Sequence, residues 1–221
     1  MRISVVLPTL HEADTIGPSI VAARAALGDC DVIVADGGSE DGTPAVARAA
    51  GARVIEAAGN RAEAMNAGAV LAECEALLFL HADTLLPTGA GDAIRDALAT
   101  ADGGAFRLGF DSRPRVWRHL SAGYARVVGL AYGDQALFVS RAAFERVGGY
   151  RPLPIMEDYD LVKRLRRAGP FTILPLQVRS SARRQRSEGE LRTFLRVAAI
   201  KLLYRLGVPA HLLARAYRPT R

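Results

Sequence analysis

Three groups of polar residues follow short apolar runs along this chain: Pro8-Thr9-Leu10-His11-Glu12, Asp36 through Asp41, and His81-Ala82-Asp83-Thr84. Carboxylates such as Glu12 and Asp36 accept hydrogen bonds from amine, amide or hydroxyl donors. Asp83 stands two residues after His81 and adds a third carboxylate at the end of an apolar run. A fourth group, Glu157-Asp158 with Asp160, offers a carboxylate able to take a proton from a hydroxyl within about 3 Å. Arg61, Arg183 and Arg184 add guanidinium groups, which grip phosphate oxygens in bidentate fashion. Each group also has an ordinary structural use, as turn former, helix cap, solvated basic loop or acidic first helical turn. Their joint occurrence is what points to a site.

The apolar runs that precede them read as strands. Residues 3–7 are β-branched and apolar and stop at Pro8; 32–35 stop at Asp36; 53–55 and 76–80 follow, the last leading into His81. Between them, residues 12–27 carry Ile16, Ile20, Val21 and Leu27 at helical spacing, with Asp14 as the expected cap. Pro44 suits a helix start, and 61–74 is an alanine-rich helix. This alternation, with strands apolar on both faces, predicts an α/β fold: a mainly parallel central sheet flanked by helices. Ligands in such sheets bind where loops converge at the carboxyl ends of strands, and the first three polar groups all stand there.

The second half is less regular. Strands are expected over 104–110, 137–139 and 171–174, and helices over 117–130 and 157–167. Beyond Gly189, Leu191, Phe194, Leu195, Ala198, Leu202, Leu203 and Leu206 recur at helical spacing among Arg192, Arg196, Lys201 and Arg205. That is a basic amphipathic C-terminal helix, broken by Gly207 and Pro209. The chain reads as a single domain, 1–221, with a ligand-binding half over 1–100, a catalytic and acceptor-facing half over 101–186, and the C-terminal helix within 187–221.

A chain of 221 residues, 50% of them hydrophobic, is long enough for a substantial core. No run approaches the ~18–20 apolar residues of a membrane span. The N-terminus reads directly as a strand without an apolar signal region, so the expected location is the cytoplasm. Cys30 and Cys74 lack metal-type spacing and read as buried thiols in a reducing compartment. From Arg179 onward 11 Lys+Arg stand against 2 acidic residues, whereas the preceding 178 residues carry 18 basic and 21 acidic ones. The net charge of +6 therefore belongs to the tail. A basic tail suits phosphate-rich ligands, anionic lipid or nucleic acid, but the body has no basic stripe or aromatic–glycine stacking motif, so no nucleic-acid partner is expected.

Familiar ligand loops fail on their spacing. A calcium loop starting at Asp36 needs Gly at its sixth position and Glu at its twelfth, where this chain has Asp41 and Ala47. No Gly-Lys-Ser/Thr follows to make a P-loop, and no Gly-x-Gly-x-x-Gly follows the first strand.

The motifs together resemble those of family-two glycosyltransferases of the GT-A fold. Pro8-Thr9-Leu10-His11-Glu12 is similar to the opening Pro-Thr-x-Asn-Glu segment of that family, and Asp36-Gly37-Gly38-Ser39-Glu40-Asp41-Gly42-Thr43 to its second signature. Asn60-Arg61-Ala62-Glu63-Ala64-Met65-Asn66-Ala67-Gly68 resembles the third, and Leu80-His81-Ala82-Asp83-Thr84 stands at the metal-motif position. Met156-Glu157-Asp158 resembles the acidic pair that carries the base. The resemblance spans about residues 3–186. It implies a GT-A type nucleotide-diphospho-sugar transferase fold. The implied reaction moves a sugar, with inversion, from a nucleoside-diphosphate sugar (a UDP-sugar first) to an acceptor, with Mn²⁺ or Mg²⁺ as cofactor.

Residue roles follow from the same resemblance. Pro8, Glu12 and Asp36 are expected to line the nucleoside pocket, with Arg61 and Asn66 approaching the diphosphate or ribose. Asp83 is expected to bind the metal, and Asp158 to act as base with Glu157 beside it in the nucleotide-sugar site. Glu157 and Asp160 crowd Asp158 with negative charge and are expected to raise its pKa. Gly133-Asp134-Gln135 is similar to the acceptor-side loop, where Asp134 or Gln135 would touch sugar or acceptor. His81 replaces the first acidic residue of the usual Asp-x-Asp; as a ligand it favours manganese, and the alternative is a loop hydrogen bond with no metal contact. Residues 181–186, with Arg183 and Arg184, stand where the family carries a Gln/Arg-x-x-Arg-Trp element over the diphosphate, but without its Trp. His-Ala-Asp with a short C-terminus resembles a small bacterial subgroup.

Two other functions use similar residues. A nucleotidyltransferase of similar fold would need an N-terminal Gly-rich loop with Arg and Lys, which Pro8–Glu12 lacks. A non-catalytic nucleotide-sugar-binding protein would keep Asp36 and Asp83 without needing Asp158. The C-terminal helix likewise has two readings. It packs on the body with its cations outside, or it lies on anionic lipid at the inner face of the membrane, which would suit a lipid-linked acceptor.

Overall fold

The β-branched N-terminal run forms β1 (Ile3–Thr9), paired in parallel with β2 (Cys30–Asp36) on one side and β4 (Ala76–Phe79) on the other. These elements come from a computed structural model that describes residues 1–109, 133–180 and 190–216. β3 (Arg53–Glu56) joins β2 in parallel, completing the parallel half that strand–helix alternation predicts. Beyond β4 the sheet is mixed. β7 (Leu137–Ser140) runs antiparallel to β4, and β6 (Gly103–Gly109) antiparallel to β7. β8 (Phe171–Ser180) runs parallel to β6, and the two-residue β5 (Thr84–Leu85) closes the edge against β8. The spatial order is β3-β2-β1-β4-β7-β6-β8-β5.

Period-two alternation sends successive β1 side chains to opposite faces. Ile3, Val5 and Leu7 pack with Ile16 and Ile20 of α1 (Ala13–Leu27) and Ile94 of α4 (Ala90–Leu98). Val6 packs on the other face with Met65 of α3 (Arg61–Leu71) and with Leu161 and Leu165 of α6 (Glu157–Ala168). Each such side chain, removed fully from water, contributes roughly 1.5–3 kcal/mol. α3 crosses β1 closely at Gly68, where an added Cβ would stand 2.4 Å from Val6 Cγ1. The remaining helices are α2 (Thr43–Ala49), α5 (Arg141–Arg146), α7 (Glu190–Arg205) and α8 (Ala210–Ala216).

Several expectations change. Asp14 lies in the first turn of α1 and is not its cap; the Ala13 N–H is instead accepted by Asp41 Oδ2 at 3.1 Å, from the next loop. The strand expected to stop at Leu174 continues to Ser180. The register shifts between Phe106 and Arg107, whose partners are Leu174 and Gln177, so Pro175 falls in a bulge where it donates to no ladder. The helix expected over 117–130 lies outside the described residues. Cys30 and Cys74 are buried free thiols. Among the described residues no helix is long and apolar enough to cross a membrane.

Candidate functional site

The carboxyl ends of β1 and β2 are tied to each other by one carboxylate. Asp36, 1% exposed, accepts hydrogen bonds from Thr9 Oγ1 (2.9 Å), Ser39 Oγ (2.7 Å), Ser39 N (2.7 Å) and Gly38 N (3.1 Å). Burial by itself pushes this carboxyl up, but the hydrogen bonds from Ser39, Thr9 and Gly38 outweigh it and hold the group below the usual carboxylate range. Four donors use the roughly four lone-pair sites of a carboxylate, so Asp36 here organises the loop instead of standing open to a base or ribose. His11 follows in the left-handed region (φ 56°), a conformation in which Asn, Asp and His are enriched, and its N–H reaches Ser39 Oγ at 2.8 Å. Glu12 begins α1; its N–H donates to Thr43 Oγ1 at 2.8 Å and its carboxylate accepts from Thr15 Oγ1.

β4 leads through Leu80 into the turn His81-Ala82-Asp83. Thr84 N donates to His81 O at 3.0 Å, the Thr84 hydroxyl donates to Asp83 Oδ1 at 3.4 Å, and Ala82 O accepts from the buried Ser19 hydroxyl. Among the described residues no three His, Cys, Asp or Glu gather into a metal cluster. His81 and Asp83, two residues apart on this turn, are donor types that a divalent cation accepts, and such an ion would need the rest of its shell from other ligands.

α6 starts abruptly. Met156 enters it in the left-handed region (φ 65°), and Glu157, Asp158 and Asp160 crowd the first turn, where the helix dipole favours negative charge. Arg151 and Arg164 pair with Asp160 at 3.4 and 2.7 Å, which neutralises that charge. Glu157 takes the crowding. Its side chain is 2% exposed, its Oε1 is ion-paired to the Arg61 guanidinium, and its Oε2 is buried without a partner among the described residues. Burial raises its pKa, and neighbouring Asp158 adds to the rise against the opposing pull of Arg61. Asp158 Oδ1 accepts from Tyr159 N at 2.7 Å.

These elements enclose one cleft. Pro8, Met65, Phe79 and Leu80 give it apolar walls. Arg61, His81, Tyr150, Glu157 and Asp158 supply its polar groups. Five residues singled out in the sequence therefore share it: Pro8, Arg61, His81, Glu157 and Asp158. Asp83, Asp36 and Glu12 stand in adjoining loops and do not line it.

Two expected contacts are engaged elsewhere. Asn66 donates from Nδ2 to Tyr150 O (2.8 Å) and accepts from Tyr150 N at Oδ1 (2.9 Å), so its amide clamps the backbone of Tyr150. Gln135 donates to Phe106 O at 3.0 Å and fastens the 133–135 turn to β6. Arg183 and Arg184 lie outside the described residues. Asp134 has its Oδ1 buried without a partner among the described residues, and desolvation, opposed by Lys201 and reinforced by Asp158, raises its pKa. Tyr150 had no motif to mark it; its clue was only the Gly148-Gly149 turn before it.

The C-terminal helices cover the start of α6. Met156 and Tyr159 cluster with Ile200 of α7 and Leu213 of α8, Tyr159 and Tyr204 meet edge to face at 5.6 Å, and Arg205 Nε donates to Tyr159 Oη at 3.1 Å. Leu202, Leu203, Leu206 and Leu212 nevertheless face solvent.

Comparison with solved structures places this architecture among GT-A type nucleotide-sugar transferase folds. Residues 4–127, more than half of the chain, match the Glycosyl transferase family 2 model, and the chain belongs to that family. S. aureus TarS 1–349, also solved in complex with UDP-GlcNAc, shares the fold at 15% identity and TM-score 0.63, over 82% of this chain and 61% of that one. The present chain thus spans about three fifths of that fragment. Glucosyl-3-phosphoglycerate synthase from Mycobacterium tuberculosis, solved with Mn²⁺, UDP and glucosyl-3-phosphoglycerate, is 25% identical with TM-score 0.61, over 94% of this chain and 80% of that one. The same enzyme solved with Mg²⁺ and UDP gives 24% and 0.63. No curated protein matches the chain.

Proposed function

We propose that this protein is an inverting glycosyltransferase that moves a sugar from a nucleoside-diphosphate sugar, a UDP-sugar first, to an acceptor hydroxyl. The observation that carries this reading is the shared cleft: Arg61, His81 and Asp158, from three distant parts of the chain, line one opening beside the carboxyl end of β1. The UDP and the Mn²⁺ or Mg²⁺ of the mycobacterial synthase complexes support the choice of donor and cofactor.

In this reading Asp158 removes the proton from the attacking hydroxyl as its oxygen bonds to the anomeric carbon. The bond from that carbon to the phosphate oxygen breaks, and the nucleoside diphosphate leaves with the electron pair. Arg61 faces the developing phosphate charge, and Arg183 and Arg184 are assigned to the same task from the segment after β8. Asp83, with His81 beside it, would hold the divalent ion, which when bound supplies positive charge at the leaving diphosphate. Pro8, Glu12 and Asp36 are assigned to the nucleoside end, Asp36 through the loop it organises. The exposed leucines of α7 and α8, beside Arg205 and Arg215, support peripheral contact with anionic lipid at the inner membrane face, and with it a lipid-linked acceptor.

A thermal-shift panel of nucleoside diphosphates and their sugars, with Mn²⁺, Mg²⁺ or chelator, tests the donor. Stabilisation by one nucleoside series, strengthened by metal, is expected; no response to any member rejects the reading. Liposome sedimentation of the full chain against a truncation before Gly189 tests the tail, and equal binding removes the membrane contact.

A further inference from the structure

Tyr150 is only 3% exposed, yet it lines the cleft beside Asp158. Its position is over-determined. The ring meets Phe79 edge-on at 4.9 Å and Phe144 at 5.8 Å, and its backbone N–H and carbonyl are both held by the Asn66 amide. The preceding Gly149 is left-handed (φ 63°), and a Cβ there would stand 2.8 Å from Asn66 Oδ1, so the clamp depends on that glycine. A side chain locked this firmly is ready to meet a ligand without further ordering.

Its recorded hydrogen bonds among the described residues run through the backbone, which leaves the phenol to the cleft that it lines. Burial, with the Asp158 and Glu157 carboxylates, holds the phenol well above its ordinary pKa, so it remains a neutral donor. On the same cleft, Glu157 Oε2 is buried without a partner among the described residues. A neutral donor on Tyr150 and the unpaired acceptor Glu157 Oε2 on one cleft match a ligand carrying ring hydroxyls, each of which both donates and accepts.

His81 and Asp158 line the same cleft. We propose that Tyr150 is a sugar-contacting residue: its hydroxyl, together with Glu157 Oε2, receives a ring hydroxyl of the transferred glycosyl group and selects for it. This assignment rests on the glycosyltransferase reading above.

The test uses the full chain carrying Tyr150→Phe, which keeps the ring and removes one oxygen. Its unfolding midpoint and its affinity for the free nucleoside diphosphate are expected to match the unsubstituted protein. Its kcat/KM for the nucleotide-sugar should fall about 5- to 10-fold, the effect of one neutral hydrogen bond. A series of monodeoxy donors should contain one position whose removal harms the unsubstituted protein to a similar degree and leaves Tyr150→Phe unaffected, the signature of a direct pair. Unchanged kcat/KM, or a loss that couples to no donor hydroxyl, overturns the assignment of Tyr150 alone. Failure of the unsubstituted protein to bind any nucleotide-sugar overturns the parent reading and this one with it.

Discussion

Arg61→Met removes the guanidinium that faces Glu157 while keeping most of the apolar stem. Glu157 is 2% exposed and its second oxygen has no partner among the described residues, so its carboxylate would be left buried and uncompensated. Breaking a fully buried pair in this way costs about 3–5 kcal/mol. The Arg61 side chain is 47% exposed, and solvent screening cuts that figure to about 1–2 kcal/mol near pH 8. For a chain of this size that is roughly 2–8 °C in Tm. The sign with pH follows from the raised pKa of Glu157. Between the ordinary carboxylate value and the raised one, the folded protein holds a proton that the unfolded chain releases, so stability falls as pH rises through that window. Losing Arg61 lifts the folded value further and extends the window upward. The variant should therefore match the parent at low pH and fall progressively behind as pH rises through the parent's raised Glu157 value. Urea unfolding at a series of pH values reads this directly. In a Glu157→Gln background the same substitution should cost almost nothing. An equal penalty at pH 4 and pH 8, or no penalty at pH 8, would refute the account of the pair.

Asp158→Asn should lower turnover by about 10²–10⁴-fold while leaving calorimetric affinity for the nucleoside diphosphate unchanged, and retained turnover would remove the base assignment. Asp36→Ala should cost about 2 kcal/mol at neutral pH, because four donors lose their acceptor. Since the folded Asp36 pKa lies below its unfolded value, that contribution is full above the unfolded value and disappears as pH falls through the folded one. Denaturation at pH 7 and pH 2.5 should show the difference shrinking. Asn66→Ala leaves the Tyr150 backbone N–H and carbonyl unmatched and should cost about 1–3 kcal/mol in unfolding, with a larger loss of kcat/KM than Tyr150→Phe.

The parallel half was legible because its core strands are uninterrupted apolar runs bounded by Pro8, Asp36 and His81, although β1 carries on through Pro8 to Thr9. The apolar run marks β8 only to Leu174; Pro175 interrupts it, and the bulge opposite Phe106 and Arg107 lets the ladder resume. α5, with six residues, is shorter than the window in which a helical period shows. The cleft residues were reached through motif order, since nothing local brings Arg61 to Glu157 across 96 residues. Amides are ambiguous for a plain reason. Asn66 and Gln135 can face a ligand or a backbone with the same chemistry, and the choice depends on partners 84 and 29 residues away. Tyr150 gave no signal, because an aromatic residue after Gly-Gly reads as core until its hydroxyl is followed.

The cluster of Met156, Tyr159, Ile200 and Leu213 also sets an order of events during synthesis. Every residue assigned to the cleft has been made once the ribosome passes Asp158, yet the first turn of α6 stays uncovered until Leu213 has followed. In a chain that folds as it emerges, the sheet can assemble early, while the helix bearing Asp158 acquires its last packing only at the end. The protein thus gains its shape before its reactive end is secured. Lesions in the final helices would leave a folded molecule with a loosened α6 terminus, detectable as lost turnover with little change in the spectroscopic signature of the sheet.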